Sequence, residues 1–297
     1  MKSRSVVLFF GLAAAAFAQQ QDVFQVGPVA VRQGERTSGS IPVPKGPDGE
    51  TTVPVTVVRG VKPGPVLALV AGVHGSEYPP ILALQEMAPR LDPKRLTGTV
   101  IFVHVANMPS FLKRTIYYSP VDGKNLNRVF PGKLDGTLSE RIAYTITREV
   151  IEKCDYLIDM HCGDGNESLR PYDYWDVRAA NAEVREKSRQ MVLAFGLDHI
   201  VLDRERPQDP AKSIYVSTTA TTRNKPAITV EAGGRTLSDH ESVMLLENGA
   251  LSVMRLLKMI DGEPRMVEHP LFMDPSQVMT TPVTGIFYPV VEKGHTV

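Results

Sequence analysis

The sequence predicts an α/β fold, a three-layer sandwich around a mixed, mostly parallel central sheet. Two observations carry that expectation. Continuous apolar runs recur at 66–71, 100–103, 156–160 and 227–230, the pattern of strands buried on both faces. Helical apolar periodicity fills the intervals, at 78–89, 137–152, 180–195 and 239–259. Strands that alternate with helices are joined by crossovers, and crossovers make neighbouring strands parallel. With 42% hydrophobic and 22% charged residues over 297 positions, the composition is that of a globular protein with one sizeable core.

The elements follow in chain order. Lys2 and Arg4, the apolar run from Val6 to Ala16 and the triplet Ala16-Phe17-Ala18 have the form of a signal peptide cleaved after Ala18. The run is much shorter than the ~20 residues that span a bilayer, and Gln19, Gln20 and Gln21 end it. Residues 1–18 are therefore expected to be removed, leaving no stable membrane insertion and an exported protein, periplasmic or secreted. Residues 19–262 are expected to form the main domain. Its lead-in, 22–50, is rich in Gly, Pro and Ser and reads as irregular or strand-bearing, and Thr52 to Arg59 alternates as a strand does. Beyond Asp261-Gly262-Glu263-Pro264, the segment 263–297 reads as the start of a small C-terminal β unit, including Gly285 to Val291. So short a stretch cannot bury a core of its own; it either packs on the main domain or continues in a longer chain.

Lys plus Arg equals Asp plus Glu at 33 each. No net field favours nucleic acid or an anionic membrane surface, and a small molecule or short peptide fits better as substrate. Oligomeric state is not legible. Cys154 and Cys162 flank a strand, and at ~3.3 Å per residue their Cα atoms stand well beyond the ~7 Å reach of a disulfide. Free, buried thiols are expected. Cys162 adjoins a candidate metal ligand, but neighbours on a strand face opposite sides.

Four segments carry chemistry. Val70-Ala71-Gly72-Val73-His74-Gly75-Ser76-Glu77 runs from an apolar strand through a glycine turn towards a helix. His74 and Glu77 then stand at the carboxyl end of a strand, where open α/β sheets bind ligands, and an imidazole with a carboxylate suits zinc. Alone, the pair also reads as a surface His beside a helix-start Glu. Leu157-Ile158-Asp159-Met160-His161 delivers a third ligand from a second buried strand. Two ligands close together and one far along is how a catalytic zinc site leaves a position for water. Asp159 is a candidate for holding an imidazole from behind. Ile228-Thr229-Val230-Glu231 ends a third strand in a carboxylate suited to general-base work. In Asn125-Leu126-Asn127-Arg128-Val129-Phe130-Pro131-Gly132, the Arg128 guanidinium can grip a substrate carboxylate bidentately; alternatively Asn127 knots the loop. Arg114 is the candidate for polarising a scissile carbonyl. His104, His199, His240, His269 and His295 read as structural or surface residues, and the charged stretch Asp203 to Asp209 as a solvated connection.

Taken in order, these segments resemble the succinylglutamate desuccinylase/aspartoacylase family, itself related to the zinc carboxypeptidases. The resemblance spans roughly residues 50 to 297. It implies that His74, Glu77 and His161 hold one Zn²⁺ per chain, that Glu231 is the general base, and that Asn127 and Arg128 bind the substrate's carboxylate. Two departures stand out: the spacing from Arg114 to Asn127 does not place the family's carbonyl-polarising arginine, and Cys162 replaces a common glycine. The expectation is a zinc-dependent hydrolase cleaving an amide bond in an N-acyl amino acid or short peptide. The alternatives are an exported metallocarboxypeptidase or cell-wall peptide hydrolase and, more distantly, a non-catalytic binder of carboxylated ligands.

Overall fold

A computed structural model describes residues 23–274 and 278–295. The signal-like segment 1–18 lies outside them. A ribbon of two antiparallel strands, β1 (Val23–Val26) and β2 (Val29–Arg32), leads into a nine-stranded sheet. Its strands are β3 (Arg36–Gly46), β4 (Gly49–Arg59), β5 (Lys62–Val70), β6 (Thr97–Val103), β7 (Tyr156–His161), β8 (Tyr172–Asp176), β9 (His199–Asp203), β10 (Ala227–Glu231) and β11 (Leu271–Met273). They lie in the order β11-β9-β8-β10-β7-β5-β6-β4-β3. The centre, β10-β7-β5-β6, is parallel throughout. Antiparallel pairings enter at β6-β4-β3 and at β10-β8, and β8-β9-β11 are again parallel. The sheet is mixed and mostly parallel, as the strand-helix alternation predicts.

Helices cover both faces: α1 (Tyr78–Arg90), α2 (Met108–Lys113), α3 (Leu138–Glu149), α4 (Ala182–Phe195), α5 (Val216–Thr221) and α6 (His240–Leu256). The strand period of two sorts each central strand between two cores. Leu67, Leu69, Ile158, Met160, Ile228 and Val230 pack under α1, α4 and α6. Ala68, Val70, Leu157 and Ala227 face α3, α5 and the lead-in strands. All ten are buried at 2% exposure or less, and full burial of a large aliphatic side chain stabilises by about 1.5–3 kcal/mol. Local signals set the helix starts: Pro79 and Pro80 occupy the first turn of α1, and the Glu140 carboxylate accepts the Thr137 N–H at 2.9 Å to open α3.

At the C-terminal end the described residues hold little strand. The segment expected to be β-rich contributes one three-residue strand, β11, to the edge of the main sheet. Residues 278–295 form no strand, and Ile286, Phe287 and Val290 are 80%, 83% and 96% exposed. Alternating apolar residues make a strand only against a partner that takes their N–H and C=O groups. The lead-in, by contrast, is strand. Cys154 and Cys162 are free and buried, as expected. No helix among the described residues is long and apolar enough to cross a membrane.

Candidate metal centre and cleft

Three neighbouring parallel strands, β5, β7 and β10, end at the same edge of the sheet, where α/β folds bind ligands. Register does the rest: Val70 pairs with Asp159, and Glu231 with His161. The turn after β5 depends on two glycines. Gly72 has φ +67°, and a Cβ there would stand 2.9 Å from Val105 Cα; at Gly75 a Cβ would meet the α2 backbone at 2.0 Å. That turn swings His74 and Glu77 back over the strand ends.

The three side chains converge. His74 Nδ1 lies 2.6 Å from Glu77 Oε1, and His161 Nδ1 lies 2.8 Å from Glu77 Oε2. One ligand atom from each falls within 4.8 Å of the others, and the residues are 7%, 2% and 2% exposed. The far ring nitrogens are held from behind: His74 Nε2 by Asn125 Oδ1 at 3.1 Å, and His161 Nε2 by Asp159 Oδ1 at 3.1 Å. Both Nδ1 atoms therefore face the centre. Glu77 Oε2 is buried and makes no hydrogen bond despite its nearness to His161. Two nitrogens and a carboxylate, one oxygen of it unsatisfied, fit a borderline cation such as zinc.

Electrostatics agree. Burial alone would raise Glu77, but the charges of His161 and His74 outweigh it and bring the carboxyl to about 2. Burial alone would lower His161; the carboxylates of Glu77 and Asp159 overcome it and hold the imidazole well above its ordinary value. A metal must displace that proton. Zinc binding to the metal-free protein is therefore expected to release protons and to tighten as pH rises towards the raised His161 value. Calorimetry in buffers of different ionisation enthalpy reads this directly; a heat independent of buffer would contradict it.

Glu231 is half-buried at the end of β10. Burial drives its carboxyl up to about 8, with Glu77, Asp159 and Glu167 adding to the rise and His161 opposing it. Such a group is poised to take and return a proton. It opens, with the three ligand residues, onto a cleft of about 290 Å³. A larger groove of about 1010 Å³ lies elsewhere, lined by charges of both signs such as Arg170, Asp198, Arg235 and Glu268 and by none of these residues. The smaller cleft is the one that the candidate residues line.

Asn127 and Arg128 line this cleft. Asn127 is buried; its Oδ1 accepts the Val216 N–H at 3.0 Å, and its Nδ2 lies 3.3 Å from His161 Nε2. Its amide thus braces α5 against the metal centre rather than knotting its own loop. Arg128 is exposed, donates to Asn127 O at 2.7 Å, and sits 4.7 Å from the Tyr215 ring centroid. Arg114 does not join them: it is the exposed cap of α2, at φ +54°, and does not line the cleft.

Several lining residues escaped the sequence reading. Arg206 stands in the stretch expected to be a solvated connection, yet its side chain is 9% exposed, ion-paired to Asp203 and stacked 4.0 Å from the Tyr215 centroid. The apolar run Ile200-Val201-Leu202 of β9 was the available signal, since a strand there delivers this loop to the sheet edge. Tyr172 and Tyr174 on β8, Tyr117 and Glu167 complete the wall. The histidines outside the ligand set do not line it.

Comparison with known proteins points the same way. Residues 63–257 match the family described as Succinylglutamate desuccinylase/Aspartoacylase catalytic domain. The chain is 32% identical over 229 residues, 76% of its length, to an N-alpha-acetyl-L-2,4-diaminobutyric acid deacetylase from Halomonas elongata. It spans 64% of that relative's length. Among solved structures, a succinylglutamate desuccinylase/aspartoacylase from Rhodobacter sphaeroides superposes with a TM-score of 0.74 at 27% identity, covering 86% of this chain and 78% of the other. The product-bound ectoine utilization protein EutE (DoeB) from Ruegeria pomeroyi gives 0.72 at 25% identity, with 86% and 77% covered.

Proposed function

The chain belongs to the succinylglutamate desuccinylase/aspartoacylase catalytic-domain family, and on that footing we propose that it is a zinc-dependent amidohydrolase that removes the acyl group from an N-acyl amino acid. The observation that carries the proposal is the convergence of His74, Glu77 and His161 at one point, with Glu231 half-buried at the end of the adjacent strand. His74, Glu77 and His161 would hold the ion. When bound, zinc supplies Lewis acidity that polarises the amide carbonyl and acidifies water.

The remaining work falls to the chain's own groups. Glu231 takes a proton from the attacking water, whose oxygen bonds to the carbonyl carbon. As the C–N bond breaks, Glu231 returns that proton to the departing nitrogen, giving a carboxylic acid and an amine, which exchange the remaining proton to leave as carboxylate and ammonium. Arg128 grips the substrate's carboxylate and so fixes the amide over the centre. A cleft of about 290 Å³ accommodates an acylated amino acid better than a long peptide. The relative from Halomonas elongata makes N-acetyl-L-2,4-diaminobutyrate the first substrate to try. The signal-like amino terminus supports action in a periplasm or outside the cell.

The test is metal content by elemental analysis of protein purified without chelators, together with amine release from a panel: N-acetyl-L-2,4-diaminobutyrate, N-acetyl-L-aspartate, N-succinyl-L-glutamate and dipeptides. Near-stoichiometric zinc with release from an N-acyl amino acid is expected. Release from dipeptides alone would establish a carboxypeptidase instead; no metal and no release would leave a binding protein. Arg128→Lys retains charge but loses the bidentate fork. It is expected to raise KM about 10-fold with kcat little changed, the signature of lost uniform binding; a fall in kcat alone would speak against a positioning grip.

A further inference from the structure

We infer that Tyr117 is a catalytic residue whose hydroxyl donates a hydrogen bond to the carbonyl oxygen of the scissile amide as negative charge gathers on it. The inference rests on the amidohydrolase reading above and supplies a donor that the sequence motifs do not indicate.

The group that would do this stands on the His74 side of the cleft. Arg114 lies outside. The cleft-lining cations Arg128 and Arg206 both stack on Tyr215, with guanidinium carbons 4.7 Å and 4.0 Å from its ring centroid, so both belong to the Tyr215 wall. Tyr117 lines the cleft beside the ligand His74, ring edge to ring face, with centroids 5.1 Å apart.

Tyr117 is also held there against its backbone preference. Its φ is +57°, a conformation that bulky L residues adopt only when the surroundings impose it, and such outliers gather at functional sites. The imposing groups come from the loop that follows the ligand His161. Asp164 Oδ2 accepts the Tyr117 N–H at 3.3 Å, and Glu167 Oε1 accepts its hydroxyl. Asp164, 1% exposed, also accepts the hydroxyl of Ser76, next to the ligand Glu77. Glu167 is itself set by the Asp164 N–H at 3.0 Å. One carboxylate thus ties Tyr117 to both ligand-bearing turns. A ring that merely fills space has no use for a polar brace at each end; the next residue, Tyr118, is 59% exposed.

The chemistry requires no proton transfer. Rotation about the Cζ–O bond carries the phenolic hydrogen from Glu167 to the substrate oxygen, and exposed Glu167 takes water in exchange. A donor already fixed in place stabilises the oxyanion without reorganisation, and loss of one such donor lowers kcat by about 100-fold or more.

The experiment compares zinc-loaded wild type with Tyr117→Phe, which keeps the ring and removes the hydroxyl. Turnover is measured on the N-acetyl and N-succinyl amino acids named above. Binding of the corresponding methylphosphonamidates, whose tetrahedral P–O oxygens stand in for the oxyanion, and of acetate, the planar product, is measured by calorimetry. For Tyr117→Phe, kcat is expected to fall about 100-fold at near-constant KM, and phosphonamidate affinity by the same factor. Acetate affinity, zinc content and melting temperature should stay at wild-type values. A kcat close to wild type, or equal losses for phosphonamidate and acetate, would overturn the assignment while leaving the amidohydrolase reading intact. A wild type that neither hydrolyses these amides nor binds the phosphonamidates would bring down that reading and the inference with it.

Discussion

Glu231→Gln is expected to keep its zinc and lose nearly all turnover. The substitution is isosteric and leaves the ligand set untouched, but a carboxamide cannot accept the proton of the attacking water. Removal of a general base lowers kcat by about 10²–10⁴-fold, and the half-buried position at the edge of the centre argues for the upper end of that range. KM should change little, because in the proposed reaction the substrate is held by Arg128 and the metal, not by Glu231. The sign of the pH dependence follows. The base works only when ionised, so the rate falls as pH drops through its pKa. Burial and neighbouring carboxylates put Glu231 at about 8 without metal; a bound dication draws it lower. The acid limb of kcat/KM should therefore lie below pH 8 and be absent from the residual activity of Glu231→Gln. A variant within about 10-fold of wild type, below the usual range for a lost base, would remove Glu231 from this role.

His161→Ala should abolish stoichiometric zinc. Loss of a hydrogen-bond partner behind a ligand already weakens metal binding by about 10–100-fold, and loss of one of three ligands must exceed that. The same change strands two carboxylates. Asp159 is 0% exposed, and its carboxylate has the His161 ring, 3.1 Å away, as its neighbour and no further partner among the described residues; Glu77 loses the neighbour 2.8 Å from its Oε2. Removing one partner of a buried charge pair destabilises by about 3–5 kcal/mol, so the variant should also melt well below wild type. Melts with and without chelator separate the two effects. Chelator should lower the wild-type melting temperature, since a ligand bound only to the folded state stabilises it, and should leave His161→Ala unmoved. Full zinc in the variant, with chelator-sensitive melting, would place the metal elsewhere.

Much of this molecule is legible in its local pattern. Apolar runs bounded by glycine turns mark β5, β7 and β10, and helical periodicity marks α1, α3, α4 and α6 close to their observed bounds. Those signals survive because each is enforced within a few residues, by strand or helix periodicity and by turn chemistry. The candidate side chains sit directly at these strand ends, so the structure brings His74, Glu77, His161 and Glu231 to one place, as their order along the chain suggests. The strand β8 is not legible locally, for the converse reason. Tyr172-Asp173-Tyr174-Trp175-Asp176 mixes aromatic and acidic residues, and its strand character comes from lying between β10 and β9.

What the sequence determined by itself is the fold class and the strand-end placement of His74, Glu77, His161 and Glu231, because each follows from covalent neighbours and a short period. The tertiary structure alone decided the cleft's other wall. Arg206, Tyr172, Tyr174 and Glu167 reach it through the antiparallel insertion of β8 beside β10, Tyr117 through the brace from Asp164, and Arg114 is left outside at the end of α2. The Gly285 to Val291 run likewise stays irregular. Strand pairing and loop bracing join residues far apart along the chain, and a pairing partner is a property of the folded arrangement, which no local periodicity encodes.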